Sequence, residues 1–301
     1  MMSEIQPFLT YDEQLSKLKS KNLAFKNETT ARKALQNISY YSLICGYKDS
    51  ETNFYRRESN FEDIYMLYQF DESLRNIFFK YILKIERKIK SYYSYAFCSK
   101  FGENQAEYLN VNNYNYSQFQ KEVNELNKYL SDAMEANRPY LAHHRSAHGN
   151  IPLWVLVNVL TFGNISIAYQ CSQQDIRSAI AKEFVNVYPD QLTSILNVLT
   201  KFRNVCAHNE RLYSYKTQKS IKSLKLHNDL LNPNQGKNDL LAICICFKYL
   251  LESETFFSFI NEIQFALLSF LSKIDDNIKH DILSKMGIAN FDLNLLVKYE
   301  L

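Results

Sequence analysis

The stretch from Leu192 to His208 reads LTSILNVLTKFRNVCAH, and its periodicity decides the fold class. At about 100° per residue, Leu192, Ile195, Val198, Leu199, Phe202, Val205 and Cys206 fall on one broad stripe. That is the core face of an amphipathic helix. Asn204 and His208 are four apart and share a face roughly opposite that stripe. Arg203 lies on the flank, and its long side chain can swing toward His208.

These three residues carry chemistry. Histidine moves protons near neutral pH. Arginine holds a phosphate through a bidentate fork and steadies the extra charge of a transition state. Asparagine orients either partner. The spacing alone is weak, because Arg138-Pro139-Tyr140-Leu141-Ala142-His143 repeats it. That second match carries a proline after its arginine and lacks a long apolar stripe, so it reads as chance.

The surroundings are helical too. Gly and Pro number only 6 and 5 in 301 residues, which argues against a turn-rich β architecture. Thr10-Tyr11-Asp12-Glu13 is a capping box that starts a helix running to about Ser20. Asn27 or Thr29 opens a second one toward Tyr41. Two short helices in tandem also suit a DNA-reading helix-turn-helix, a minor alternative. Phe61 to about Phe97 reads as one long helix or two abutting ones. Phe78, Ile82, Ile85, Ile89, Tyr92 and Ala96 form its apolar face. Lys80, Lys84, Arg87 and Lys88 form a basic face able to track a phosphate backbone, with Tyr92, Tyr93 and Tyr95 after it. Glu86 lies between the faces, four residues before Lys90.

Asn104 to Asn115 reads as a loop, and Phe119 to Ala136 as a helix. Arg138 to Asn150 reads as irregular. Its His143, His144 and His148 lack nearby Cys or carboxylate partners, so no metal site and no cofactor are expected. Pro152 opens a helix through Leu160, and Phe162-Gly163-Asn164 breaks it before Ile165 to Cys171. A helix from about Gln174 to Phe184 precedes Pro189 and the motif helix. Beyond it, Lys216, Lys219, Lys222 and Lys225 recur every third residue and, with Arg211, form a second basic ridge close to the motif. Asn232 to Gly236 is a turn, and Leu240 to Phe270 a strongly apolar helical region.

The formal charge of +3 is too small to identify a nucleic-acid partner by itself. The six cysteines form no C-x-x-C pair and read as reduced thiols; Cys206 lies on the core stripe and is not a nucleophile. The N-terminus lacks a charged-then-apolar signal pattern, so a cytoplasmic location is expected. The apolar run Ile151 to Tyr169 is interrupted by Pro152, Asn158, Gly163 and Asn164 and reads as buried helices, not a membrane span.

RNVCAHNERLY, starting at Arg203, resembles the R-N-x-x-A-H signature of the Abi-like (abortive infection) proteins of the HEPN superfamily. Other blocks occur in the same order: PFLTYDEQLSKLKSKNLAF from Pro7, ISYYSLICGYK from Ile38, the helix from Phe61 to Phe97, and IPLWVLVNVLTFGNIS from Ile151. The segment after about Lys216 matches least, apart from the closing Met286-Gly287-Ile288. The resemblance implies an all-α, HEPN-type helical bundle elaborated by N- and C-terminal helices. Its parts would be an N-terminal segment (1–60), a core with the motif (61–215) and a C-terminal segment (216–301). It implies a ribonuclease triad of Arg203, Asn204 and His208 that leaves 2′,3′-cyclic phosphate and 5′-hydroxyl ends. It further implies a homodimer with a composite site, a role as toxin or phage-defence component, and an RNA substrate with a possible small antitoxin RNA. Relatives often carry His or Ser after the motif histidine, where this chain has Asn209. Glu210 stands where nucleotidylated relatives carry tyrosine, so that mode of silencing is not implied. The alternative to an enzyme is a non-catalytic RNA-binding adaptor.

Overall fold

In a computed structural model, residues 7–44 and 60–301 are described. They form an all-α chain with no strand among the described residues, only two isolated bridges. The spine is α4 (Phe61–Phe101), 41 residues in one uninterrupted helix. It contains neither Gly nor Pro, and at 1.5 Å per residue it spans about 60 Å. Asn60 and Asp63 close a reciprocal capping box at its start, and Gly102, at a φ of 89°, ends it.

Ahead of α4, α1 (Tyr11–Ser20) and α2 (Glu28–Asn37) form a hairpin, followed by α3 (Tyr40–Leu43). Thr10 and Glu13 make the expected capping box, and Asn27 caps α2 through Thr30 N. These helices bury their own apolar cluster, Leu15, Leu18, Ala31, Leu35 and Leu43, against Phe61, Ile64 and Tyr68 of α4. On the hairpin's polar side Arg32 is bonded to Asp12, and Lys19 to Glu28. Cys45 and the end of the block starting at Ile38 lie outside the described residues.

The main core begins at Phe70 and runs through the remaining helices: α5 (Gln105–Tyr108), α6 (Gln120–Met134), α7 (Pro139–His148), α8 (Leu153–Leu156), α9 (Phe162–Cys171), α10 (Gln174–Ala181), the motif helix α11 (Pro189–Ala207), α12 (Lys225–Leu230), α13 (Leu240–Leu250), α14 (Ser253–Leu271), α15 (Asp276–Lys285) and α16 (Asn294–Lys298). Helices α8, α10, α11 and α14 all pack on α4. Helix α13 is buried at every position but Lys248, as its apolar composition requires. No helix of the described residues is long and apolar enough to cross a membrane.

Four expectations need correction. Asn104 to Asn115 is not simply a loop, because it holds α5 and a 3-10 turn at Val111–Asn113. Arg138 to Asn150 is not irregular: Pro139 sits at the first position of α7, where its missing N–H costs nothing, and Gly149 ends the helix at a φ of 62°. Phe162-Gly163-Asn164 does not break a helix but begins one. Thr161 accepts from Asn164 N and donates to the Asn164 side chain, a capping box that α8, one turn long, precedes. Finally, the lysines after the motif are not a helical ridge. Residues 209–224 form a non-helical strap held by Thr217 N to Asn238 O, Ile221 N to Lys237 O and Lys222 N to Ser194 Oγ.

Candidate functional site

Pro189 stands at the first position of α11, and Leu192, Ile195, Leu196, Val198, Leu199, Phe202, Val205 and Cys206 are buried along it. Burying each large side chain stabilises by roughly 1.5–3 kcal/mol, so the helix is anchored by its stripe. Asn204 and His208 are exposed, as the wheel requires. His208 is the C-cap, one position beyond the last helical residue.

The backbone just past His208 accounts for Asn209. Its φ is 55°, the left-handed region that asparagine tolerates better than most residues. Glu210 N donates to Val205 O at 3.0 Å and Asn209 N to Cys206 O at 3.4 Å. This is the Schellman arrangement, which satisfies carbonyls a helix end leaves open. Asparagine at position 209 suits the left-handed backbone of this helix end.

The next residues are clamped from α4. Asp71 and Arg75, 0% and 2% exposed, form an ion pair at 2.7 Å. Asp71 also accepts from Leu212 N at 2.9 Å and Tyr213 N at 2.7 Å, and Arg75 donates to Glu210 O at 3.4 Å. A buried charge pair is tolerated when its remaining valences are filled, and here backbone N–H groups fill those of the carboxylate. The motif thus ends in a fixed turn rather than a loose loop.

Arg203 points back along α4. Its Nε lies 3.7 Å from Glu86 Oε2, and its guanidinium sits over the Phe79 ring, 5.7 Å from the centroid. The side chain is 28% exposed, leaving an edge open to solvent. Glu86 is buried, and its other oxygen binds Lys90 at 2.8 Å, the pair expected from their spacing. Arg203 is thereby oriented by a carboxylate that Lys90 shares. Sequence periodicity placed Glu86 between two faces but gave it no role toward Arg203. Burial pushes the Cys206 thiol up to about 12, which suits a core residue and not a nucleophile.

The basic residues separate into two kinds. Lys80 bonds Glu262 of α14 at 2.6 Å, and Lys88 bonds Glu252 at 2.7 Å; both tie α4 to the C-terminal helices. Lys84 and Arg87 are exposed, and the α4 basic face offered to solvent is chiefly theirs. Of the tyrosines beyond them, Tyr93 is buried, Tyr92 packs on Phe184, and Tyr95 is exposed. Arg211 lies over the Tyr213 ring, next to the clamp. Lys216, Lys219, Lys222 and Lys225 are exposed, and the strap carries Lys222 away from His208. Lys222 bonds Asp190 at 3.0 Å, at the opposite end of α11, about 27 Å along the axis from His208. The hydrogen bonds of Lys222 and Arg177 hold the Asp190 carboxyl below its ordinary range.

On α7 the rings of His143, His144 and His148 lie 5.4 to 5.9 Å apart, and His144 meets Trp154 edge-on. Among the described residues no three His, Cys, Asp or Glu side chains converge as metal ligands. Arg138 caps α7 from outside while His143 lies within it, so the second match to the motif spacing straddles a helix start.

Comparison with known proteins gives one family. The model of the family described as Abi-like protein matches residues 33–214, from within α2 through the motif and its clamp. No curated protein and no solved structure matches.

Proposed function

This chain belongs to the Abi-like protein family, and we propose that it is a HEPN-type endoribonuclease acting in abortive infection or as the toxin of a toxin–antitoxin pair. The observation that carries the reading is the end of α11. Asn204 and His208 project into solvent from a rigid, clamped turn, while Arg203 is aimed along α4 by Glu86 and Phe79.

The reaction needs little equipment. The ribose 2′-oxygen attacks phosphorus, the bond to the 5′-oxygen breaks, and a 2′,3′-cyclic phosphate and a 5′-hydroxyl result. One proton leaves the 2′-hydroxyl and one reaches the departing oxygen. His208 serves one of these transfers, and Arg203 neutralises charge on the pentacovalent phosphorus. Asn204 orients the phosphate or the imidazole. One imidazole handles one proton at a time, so a second copy supplying its own His208 completes the pair. We infer a homodimer in which two α11 ends face each other, with no metal taking part. Cytoplasmic RNA is the proposed substrate, and a small structured RNA the proposed restraint.

A second reading is favoured by one contact. Arg203 keeps a solvent-open edge while Glu86 and Phe79 fix its direction, an arrangement that can hold a phosphate without cleaving it. Expression of wild type, Arg203→Ala and His208→Ala in a bacterial host, with transcriptome mapping of 5′-hydroxyl ends, separates the two. New ends and growth arrest confined to wild type support the nuclease. Identical RNA profiles from all three, with RNA copurifying, support the adaptor.

A further inference from the structure

A groove of about 440 Å³ runs between α4 and α8, and Leu83, Glu86, Arg87, Lys90, Trp154 and Asn158 are among the residues that line it. It is open to solvent, and its volume has room for a nucleotide-sized ligand. Trp154 is 55% exposed although it belongs to a segment whose neighbours Leu153, Val155 and Leu156 are buried. It is the single tryptophan of the chain. His144 supports it edge-on with ring centroids 6.0 Å apart, so one side of the indole is braced by an aromatic neighbour.

The charge around this ring is lopsided. Glu86 pairs with Lys90 at 2.8 Å and has Arg203 at 3.7 Å, whereas Arg87 is exposed at the groove. Three cations therefore face one carboxylate. Glu86 joins the groove to the motif, since it both lines the groove and contacts Arg203. From Glu86 to Ser94 is about 12 Å along α4, within reach of a single bound strand. An exposed aromatic face beside cations is the usual equipment for holding an unpaired base and its phosphate.

We propose that this groove is a nucleotide subsite for single-stranded RNA. An unpaired base stacks on Trp154, Arg87 takes an adjacent phosphate, and the strand continues to Arg203. The site selects unpaired over duplex RNA, because a paired base cannot present its face to an indole. This deepens the ribonuclease reading and rests on it.

The single tryptophan makes the test direct. Full-length His208→Ala protein, which leaves RNA intact under the proposed chemistry, is titrated with short oligouridylate and oligoadenylate. Tryptophan emission and the anisotropy of a fluorescent label on the oligonucleotide are read together. The expected result is saturable quenching that tracks binding. Trp154→Ala in that background should weaken affinity about 5- to 150-fold, the worth of one stacked base. Trp154→Phe should keep most of it, and Arg87→Ala should lower the salt dependence by roughly one phosphate contact. Binding without quenching, with Trp154→Ala unaltered, overturns the subsite. Wild-type cleavage assayed in parallel separates the two layers. Normal cleavage with no Trp154 effect removes the subsite and leaves the nuclease. A wild type that neither binds nor cuts RNA overturns both.

Discussion

Replacing Asp71 by alanine should unfold the end of the motif before it touches any motif residue. The carboxylate is fully buried and, among the described residues, accepts from Arg75 at 2.7 Å, Leu212 N at 2.9 Å and Tyr213 N at 2.7 Å. Its removal breaks a buried ion pair, a loss of about 3–5 kcal/mol. The two backbone donors add to this, at about 1–3 kcal/mol for each buried group left unsatisfied, less whatever water recovers. The expected total is about 4–6 kcal/mol, since the contributions overlap and are not additive. Urea unfolding followed by circular dichroism reads it as a shift in midpoint at unchanged slope. Asp71→Asn, which keeps one acceptor but loses the charge, should fall between wild type and Asp71→Ala. Asp71→Leu with Arg75→Met, removing both charges, should be less damaging than Asp71→Ala alone. A loss below about 1 kcal/mol for Asp71→Ala, or a double variant worse than the single, would refute the clamp.

Gly287, in the closing Met286-Gly287-Ile288, has a φ of 82°, and a Cβ there would lie 2.3 Å from Asp239 Oδ2. Gly287→Ala should cost at least about 1–2 kcal/mol from left-handed backbone alone, more from the clash, and thermal unfolding measures it. His227 is buried; its Nδ1 accepts from Leu224 N and its Nε2 donates to Gly236 O, and burial lowers its pKa. A lowered folded value means stability is full above the unfolded value of about 6.5 and is lost as pH falls through the folded one. Midpoints from pH 8 to 5 should therefore drop more steeply in wild type than in His227→Gln; parallel curves would remove His227 from the acid response. Lys84→Ala with Arg87→Ala should reduce the salt slope of RNA binding by roughly two. Lys80→Ala with Lys88→Ala should change it less, because Glu262 and Glu252 already occupy those ammonium groups.

Much of this was written locally in the chain. The α11 stripe, the boxes at Thr10 and Asn27, and the length of α4 come from periodicity, capping chemistry and the lack of breakers. Glycine and proline misled where their position mattered more than their presence. Pro139 starts α7, and Gly163 sits in the first turn of α9 behind the Thr161 cap. The lysines after the motif have helical spacing but no helix, since tertiary bonds to Ser194, Lys237 and Asn238 hold that backbone extended. Asp71 and Arg75 were silent because an i, i+4 charge pair usually marks a solvated face, whereas here the strap returns across α4 and bonds to them. Glu86 toward Arg203, and Trp154 toward the groove, likewise depend on contacts between distant segments.

The nuclease reading meets its most direct test in a purified reaction. Wild type, Arg203→Ala and His208→Ala proteins, each shown to be folded and of equal oligomeric state, are incubated with single-stranded RNA in excess EDTA, and the product ends are identified chemically. The account predicts cleavage by wild type alone, leaving 2′,3′-cyclic phosphate and 5′-hydroxyl ends. RNA cut equally by His208→Ala, or bound by wild type and recovered intact, would contradict it.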